Sequence, residues 1–200
     1  MSKINCKKII RALRENKENL KNTALEQAYR SNDIWEKCVL LRTYTSDKGL
    51  ESEKLIKSDL QIAPPVDNIS GDGFKNGLNY EIKVSIHAND CKLNIRQIRP
   101  HHNIHFYIIM YLNIWAGDNG KAYIFKIPSK KIYDLVLEYG GYTHGTIERN
   151  GPITIDSIKD KKRDFEYSLS ANPNAREGTK SKILWNELIK YSIPYKKEEF

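Results

Sequence analysis

The pair Asn76-Gly77 lies between two short segments of strand-forming residues and constrains the fold more than any other feature. Asn-Gly is the preferred centre of a two-residue hairpin turn, because both turn positions take positive φ. After the turn, side chains along residues 78–86 alternate: Leu78, Tyr80, Ile82 and Val84 are apolar, and Asn79, Glu81, Lys83 and Ser85 are polar. The sequence therefore predicts a β-hairpin of residues 71–74 and 78–86 with one apolar and one polar face.

Apolar spacing predicts the elements around this hairpin. Helical spacing is found at residues 3–30, 32–44, 50–60, 129–139 and 181–191. Long apolar runs at residues 106–115 and 121–127 are typical of buried strands. Gly140-Gly141 is expected to end the fourth helix. Residues 143–167 are expected to be loop and short strand, and residues 170–179 are expected to be surface loop. These elements indicate one domain that contains both helices and strands.

Composition limits the partners and the compartment. The net charge of +8 favours a polyanionic partner. Three widely spaced cysteines offer neither a disulfide framework nor a metal-binding pair. No apolar run approaches the roughly 18 residues of a membrane span, and the N-terminal residues lack a secretory signal. We expect a cytoplasmic protein without a membrane partner.

The polar face of the hairpin carries the chemistry. A hairpin brings Asp72 near the strand that bears Glu81, and the two-residue period places Glu81 and Lys83 on one face. Magnesium prefers hard oxygen ligands, so Asp72, Glu81 and the backbone carbonyl of Ile82 are candidate ligands. Lys83 can orient a nucleophile or stabilise charge on a reacting phosphate. The competing interpretation is an ordinary amphipathic hairpin with a solvated Glu81–Lys83 pair.

Asp72 followed by Glu81-Ile82-Lys83 resembles the D…(D/E)-x-K motif of the PD-(D/E)XK nuclease superfamily. The proline of the family name is absent, since Gly71 precedes Asp72. The resemblance implies an α/β fold with a restriction-endonuclease-like mixed β-sheet core of four or five strands flanked by α-helices, and the spacing of apolar residues agrees with this core. It also implies phosphodiester hydrolysis with Mg2+, for which Mn2+ can substitute.

In this family a helical acid often precedes the hairpin, and the Ser46–Gly49 break before Glu53 is similar to that arrangement. Glu53 is preferred to Glu51, although either can merely favour a helix N-terminus. The segment around Gln97 and Arg99 looks like the Q-x-R element that follows E-x-K in many restriction enzymes. Gln97 is therefore expected to face the active centre, with a solvated basic turn as the alternative.

Several residues are candidate DNA contacts because they are basic or hydrogen-bonding and lie near the motif or in polar loops. They are Ser85, His87, Arg96, Arg99, His144, Arg176 and Lys180. Residues 1–45 would then form a helical arm and possible dimer contact, residues 46–140 the catalytic core, and residues 141–200 the DNA-contact loops and last helix. His101, His102 and His105 have no cysteine pair nearby, so zinc and HNH chemistry are not favoured.

The resemblance implies a type II restriction endonuclease that cuts double-stranded DNA at a short specific sequence. Such an enzyme is expected to act as a homodimer and to have a cognate DNA methyltransferase as its genetic partner. The alternatives left open are a repair, resolvase or phage nuclease on the same core, and a non-catalytic DNA-binding protein.

Overall fold

The computed structural model describes residues 48–87, 91–113, 121–160, 163–194 and 199–200. The predicted helices at residues 3–30 and 32–44, with their possible dimer contact, lie outside this part. The helices are α1 (Lys48–Leu60), α2 (Ser129–Tyr139), α3 (Ile147–Asn150), α4 (Ile155–Lys159) and α5 (Lys180–Leu188), and a 3-10 turn follows at Ile189–Tyr191. The strands are β1 (Gly73–Lys75), β2 (Leu78–His87), β3 (Leu93–Ile98), β4 (Phe106–Asn113), β5 (Lys121–Pro128), β6 (Gly141–Tyr142) and β7 (Tyr167–Ala171).

A four-stranded mixed sheet carries the predicted hairpin. Its order is β1-β2-β4-β5, in which β2 is antiparallel to β1 and parallel to β4, and β5 is antiparallel to β4. The turn between β1 and β2 has φ of 52° at Asn76 and 79° at Gly77, as an Asn-Gly hairpin turn requires. The mixed α/β architecture, the hairpin and the four strands are confirmed.

Helix α1 packs on one face of this sheet. Ile56 and Leu60 are fully buried there against the alternate residues of β2, among them Tyr80 and Ile82. The apolar half of β2 thus faces the helix, and the half with Glu81 and Lys83 faces the other way. The alternation that was predicted from sequence is confirmed, and it fixes the side of the sheet on which the charged groups lie.

A second, antiparallel sheet of order β3-β7-β6 was not predicted. The expectation of loop and short strand for residues 143–167 was wrong in part, since this segment contains α3 and α4. The expectation of loop for residues 170–179 was wrong at its start, since β7 extends to Ala171. The apolar side chains of β7, Tyr167, Leu169 and Ala171, alternate and are buried in the core that α2 and α5 complete. Strands this short have too few residues to show a period clearly.

The helices α2 and α5 lie where they were predicted, but Gly140 ends α2 for a different reason. Its φ is −79°, so it does not adopt the left-handed conformation of a glycine cap. A Cβ at Gly140 would instead lie 2.5 Å from the carbonyl oxygen of Val136. Close approach to the helix therefore requires glycine there. Within the described residues, no helix is long and apolar enough to cross a membrane.

Candidate active site

Asp72 directly precedes β1. It lies where the pairing of β1 with β2 has ended, just beyond the Gly73–Tyr80 pair. Its backbone N–H donates to the Tyr80 carbonyl at 2.8 Å, and its Oδ2 accepts the backbone N–H of Ile82 at 2.7 Å. The carboxylate therefore takes the place of the missing strand neighbour. Because the N–H and C=O of one strand residue point to the same edge, the Ile82 carbonyl faces the side on which the Asp72 carboxylate lies.

Gly71 leads the chain into Asp72 in a left-handed backbone conformation. Its φ is 73°, which proline, fixed near −65°, cannot adopt. A Cβ at this position would also lie 2.6 Å from the Tyr80 carbonyl oxygen and 2.5 Å from Cδ1 of Ile104. The tight approach of the chain to β2 therefore demands glycine, and it delivers Asp72 to the strand edge.

Glu81 and Lys83 form a close ion pair on the polar face of β2. Glu81 Oε1 and Lys83 Nζ are 2.6 Å apart, and the side chains are only 5% and 17% exposed. Burial raises the pKa of Glu81, with Lys83 opposing this and Asp72 adding to it. Burial alone lowers the pKa of Lys83, but the Glu81 carboxylate together with Asp72 and Glu53 outweighs it, and the net pKa is raised. Lys83 therefore stays cationic and is suited to stabilise negative charge rather than to act as a base.

Glu53 on α1 is the third carboxylate of the site. Burial, followed by the charge of Asp72, raises the pKa of Glu53 from 4.5 to about 7, although Lys83 opposes the shift. A carboxyl group that titrates near neutrality can exchange a proton at physiological pH. Glu51 also lies in α1, but its side chain is outside the described part of the structure.

A cleft of about 350 Å³ opens beside these groups. Its polar lining is supplied by α1, β2 and β3, from the residues Glu53, Lys83, Ser85, Asn94, Arg96 and Gln97. Arg96 and Gln97 are both exposed, and Gln97 has a φ of 56°. The structure thus brings Gln97, Arg96 and Ser85 to the same cleft as Glu53 and Lys83.

Four other candidate DNA contacts do not line this cleft. Arg99 donates from Nε to Glu166 at 2.7 Å, and His144, which is 79% exposed, lies 3.5 Å from the same carboxylate. His144 and Glu166 line a separate pocket of about 300 Å³. Arg176 and Lys180 are exposed at the connection from β7 to α5, and His87 is the last residue of β2. Arg99 nevertheless lies near enough to the site for its charge to lower the pKa of Glu81.

Sequence reasoning missed two residues that contact the site. Lys57 donates from Nζ to the backbone carbonyl of Asp72 at 3.1 Å, which ties α1 to the chain just before β1. Asn94 lines the cleft two residues before Arg96. Lys57 follows Glu53 by four positions, so both lie on one face of α1, and this spacing was the available signal.

The donor set fits a hard divalent cation. Asp72, Glu81 and the Ile82 carbonyl offer only oxygen. Burial, to which the neighbouring Asp72 carboxylate adds, raises the pKa values of Glu53 and Glu81, and a bound cation would oppose that shift. Within the described ranges, no three His, Cys, Asp or Glu side chains form a ready-made metal cage. Magnesium does not require one, since it commonly uses one or two carboxylates together with water and phosphate.

No protein-family model, no curated protein and no solved structure matches this chain. We therefore infer the function from the geometry of the site and from the motif that it contains.

Proposed function

We propose that this chain is a magnesium-dependent endonuclease of the PD-(D/E)XK type that hydrolyses phosphodiester bonds in double-stranded DNA. One observation carries the proposal: the Asp72 carboxylate holds the Ile82 N–H at the open edge of β2, next to the buried Glu81–Lys83 pair. This is the spatial order that the D…E-x-K motif requires. The four-stranded mixed sheet with α1 on one face is compatible with a restriction-endonuclease-like core.

Asp72, Glu81 and the Ile82 carbonyl would hold the magnesium ion, for which manganese can substitute. When bound, such an ion activates water and neutralises charge on the phosphate. Glu81 is paired with Lys83 at 2.6 Å, so these two groups together hold charge close to balance before a cation binds. Because the site gathers carboxylates in a buried position, a cation is more favourable there than at the surface.

Three side chains are assigned to the reacting phosphate. Lys83, kept cationic by Glu81, supplies positive charge as negative charge develops on the phosphoryl oxygens. Glu53, whose pKa is about 7, can accept a proton from the attacking water. Gln97, at the rim of the cleft, can orient that water or a phosphate oxygen through its amide.

DNA is the substrate that the charge favours. The chain has a net charge of +8, and Arg96 lies exposed in the cleft where a phosphate would lie. We further propose a type II restriction endonuclease that cuts as a homodimer at a specific short sequence, with a cognate DNA methyltransferase as its genetic partner. The exposed Arg176 and Lys180 are available for groove contacts in such a complex.

The test is incubation of the purified protein with unmethylated phage DNA in magnesium, beside an EDTA control. Wild type is expected to give discrete fragments, which EDTA and Lys83→Ala abolish and which Lys130→Ala, an exposed lysine on α2, leaves intact. A smear with the same dependence would indicate a repair, resolvase or phage nuclease. If the protein binds DNA but does not cleave it with any divalent metal, it is a non-catalytic DNA-binding protein, and the proposal is contradicted.

A further inference from the structure

The strand β3 contains a bulge at the rim of the cleft. Pairing with β7 places Ile95 opposite Leu169 and Ile98 opposite Tyr167, so β3 advances three residues (98 − 95) while β7 advances two (169 − 167). Gln97 lies within this shift and has a φ of 56°. A glutamine holds this left-handed conformation only where its surroundings fix it. Bulges of this kind redirect side chains, and here Arg96 and Gln97 both line the cleft.

The hydroxyl of Thr143 lies in the gap that the bulge opens. Its Oγ1 accepts the backbone N–H of Gln97 at 3.2 Å and donates to the backbone carbonyl of Tyr167 at 2.7 Å. The Thr143 backbone N–H donates to the Glu166 carbonyl at 2.8 Å, which anchors the residue to the chain beside β7. One hydroxyl thus satisfies a donor on the bulged strand and an acceptor on its partner.

We propose that Thr143 is a positioning residue for the reaction at the cleft. Its hydroxyl fixes the backbone of Gln97 and thereby the directions of the Gln97 and Arg96 side chains. This inference rests on the proposed function, since the orientation of Gln97 matters to catalysis only if the cleft is the catalytic one. It also gives the Thr143-His144-Gly145-Thr146 segment a role through a hydroxyl at the bulge rather than through the exposed His144.

Substitutions of Thr143 by valine and by serine distinguish the effect of its hydroxyl from the effect of the rest of its side chain. Thr143→Val keeps the shape but can neither accept from Gln97 nor donate to Tyr167, whereas Thr143→Ser keeps both hydrogen bonds. With magnesium and a DNA substrate, we expect Thr143→Val to lower kcat by about 10- to 100-fold, as small misplacements of positioning groups do. Thr143→Ser should stay within about twofold of wild type.

The Gln97→Ala background distinguishes positioning from a general loss of structure. If Thr143 acts through Gln97, Thr143→Val should add little to the loss that Gln97→Ala already causes, with KM changed less than kcat. Equal effects of Thr143→Val in both backgrounds, or full activity of Thr143→Val, would overturn the inference. All variants are compared well below their melting temperatures.

Amide hydrogen exchange tests the same contact without any nuclease activity. The Gln97 amide should exchange faster in Thr143→Val than in wild type and Thr143→Ser, because its acceptor is lost. Unchanged protection in Thr143→Val would overturn the inference even if the enzyme cuts DNA. Faster exchange in a protein that cuts no DNA under any metal would keep the Thr143 contact and reject the nuclease function.

Discussion

Glu53→Gln should make the metal-free protein more stable at alkaline pH while it impairs the proposed activity. The carboxyl group is half-buried on α1, and burial together with Asp72 raises its pKa from 4.5 to about 7. Ionising it in the folded state therefore costs free energy that the unfolded chain does not lose. Glutamine has the same shape and cannot ionise, so it removes this cost.

The sign and the magnitude follow from the two pKa values. Because the folded state holds the proton more tightly, Glu53 favours folding most below pH 4.5, and this contribution is lost as the pH rises through about 7. At about 1.4 kcal/mol per pKa unit, the loss is about 3 kcal/mol. The stability of Glu53→Gln relative to wild type should therefore rise by about 3 kcal/mol between pH 4 and pH 8.

Urea unfolding in EDTA at pH 4, 6 and 8 measures this difference directly. Glu138→Gln, which removes an exposed carboxylate on α2, controls for the loss of one negative charge. Magnesium should stabilise wild type more than Glu53→Gln at pH 8, since a cation favours the ionised carboxylate that glutamine lacks. A difference between Glu53→Gln and wild type that stays constant from pH 4 to pH 8 would refute the argument.

Three further pairs of substitutions test the site and its surroundings. Gly71→Ala should lower the free energy of unfolding by about 2–3 kcal/mol. Gly77 has a similar φ and open space around it, so Gly77→Ala should lower it by only about 1 kcal/mol. Equal melting temperatures of the two variants would contradict the close approach of Gly71 to Tyr80. Arg96→Ala should reduce the salt dependence of DNA binding by about one phosphate contact, whereas Arg99→Ala should instead cost about 1–2 kcal/mol of stability by breaking its pair with Glu166. Lys57→Met should raise the magnesium concentration for half-maximal cleavage by about 10-fold. Substitution of the exposed Lys54 by methionine is the control, and an unchanged magnesium concentration for half-maximal cleavage in Lys57→Met would contradict the prediction.

The local part of the site could be predicted from sequence. The Asn76-Gly77 turn and the alternation along β2 are short-range signals, and they suffice to bring Asp72 beside Glu81 and Lys83. The position of Glu53 also follows from a local pattern, since α1 begins close to where its sequence signals placed it. Each of these inferences needed residues fewer than about thirty positions apart, where loop closure costs little.

The long-range part could not be predicted. Strand β3 follows β2 in the chain but pairs with β7 in the second sheet. Asn94 and Ser170, which are 76 residues apart, hydrogen-bond across that pair. Arg99 and Glu166 are 67 positions apart in the sequence. The sequence therefore suggested a DNA contact for Arg99 but did not indicate its ion pair with Glu166. Neither a two-residue nor a 3.6-residue period specifies which distant strand a short segment will pair with.

The proposed nuclease function depends most directly on Asp72 as part of a centre for phosphodiester hydrolysis. We would follow the conversion of supercoiled plasmid to nicked and linear forms in magnesium for wild type, Asp72→Asn and Asp67→Asn. Asp67 is an exposed acid five residues before Asp72, where it accepts the Ile69 N–H at 3.0 Å, so it is a matched control. The account predicts magnesium-dependent cutting by wild type and Asp67→Asn and a loss of at least about 100-fold in Asp72→Asn. Cutting that persists in Asp72→Asn, or no cutting by wild type, would contradict it.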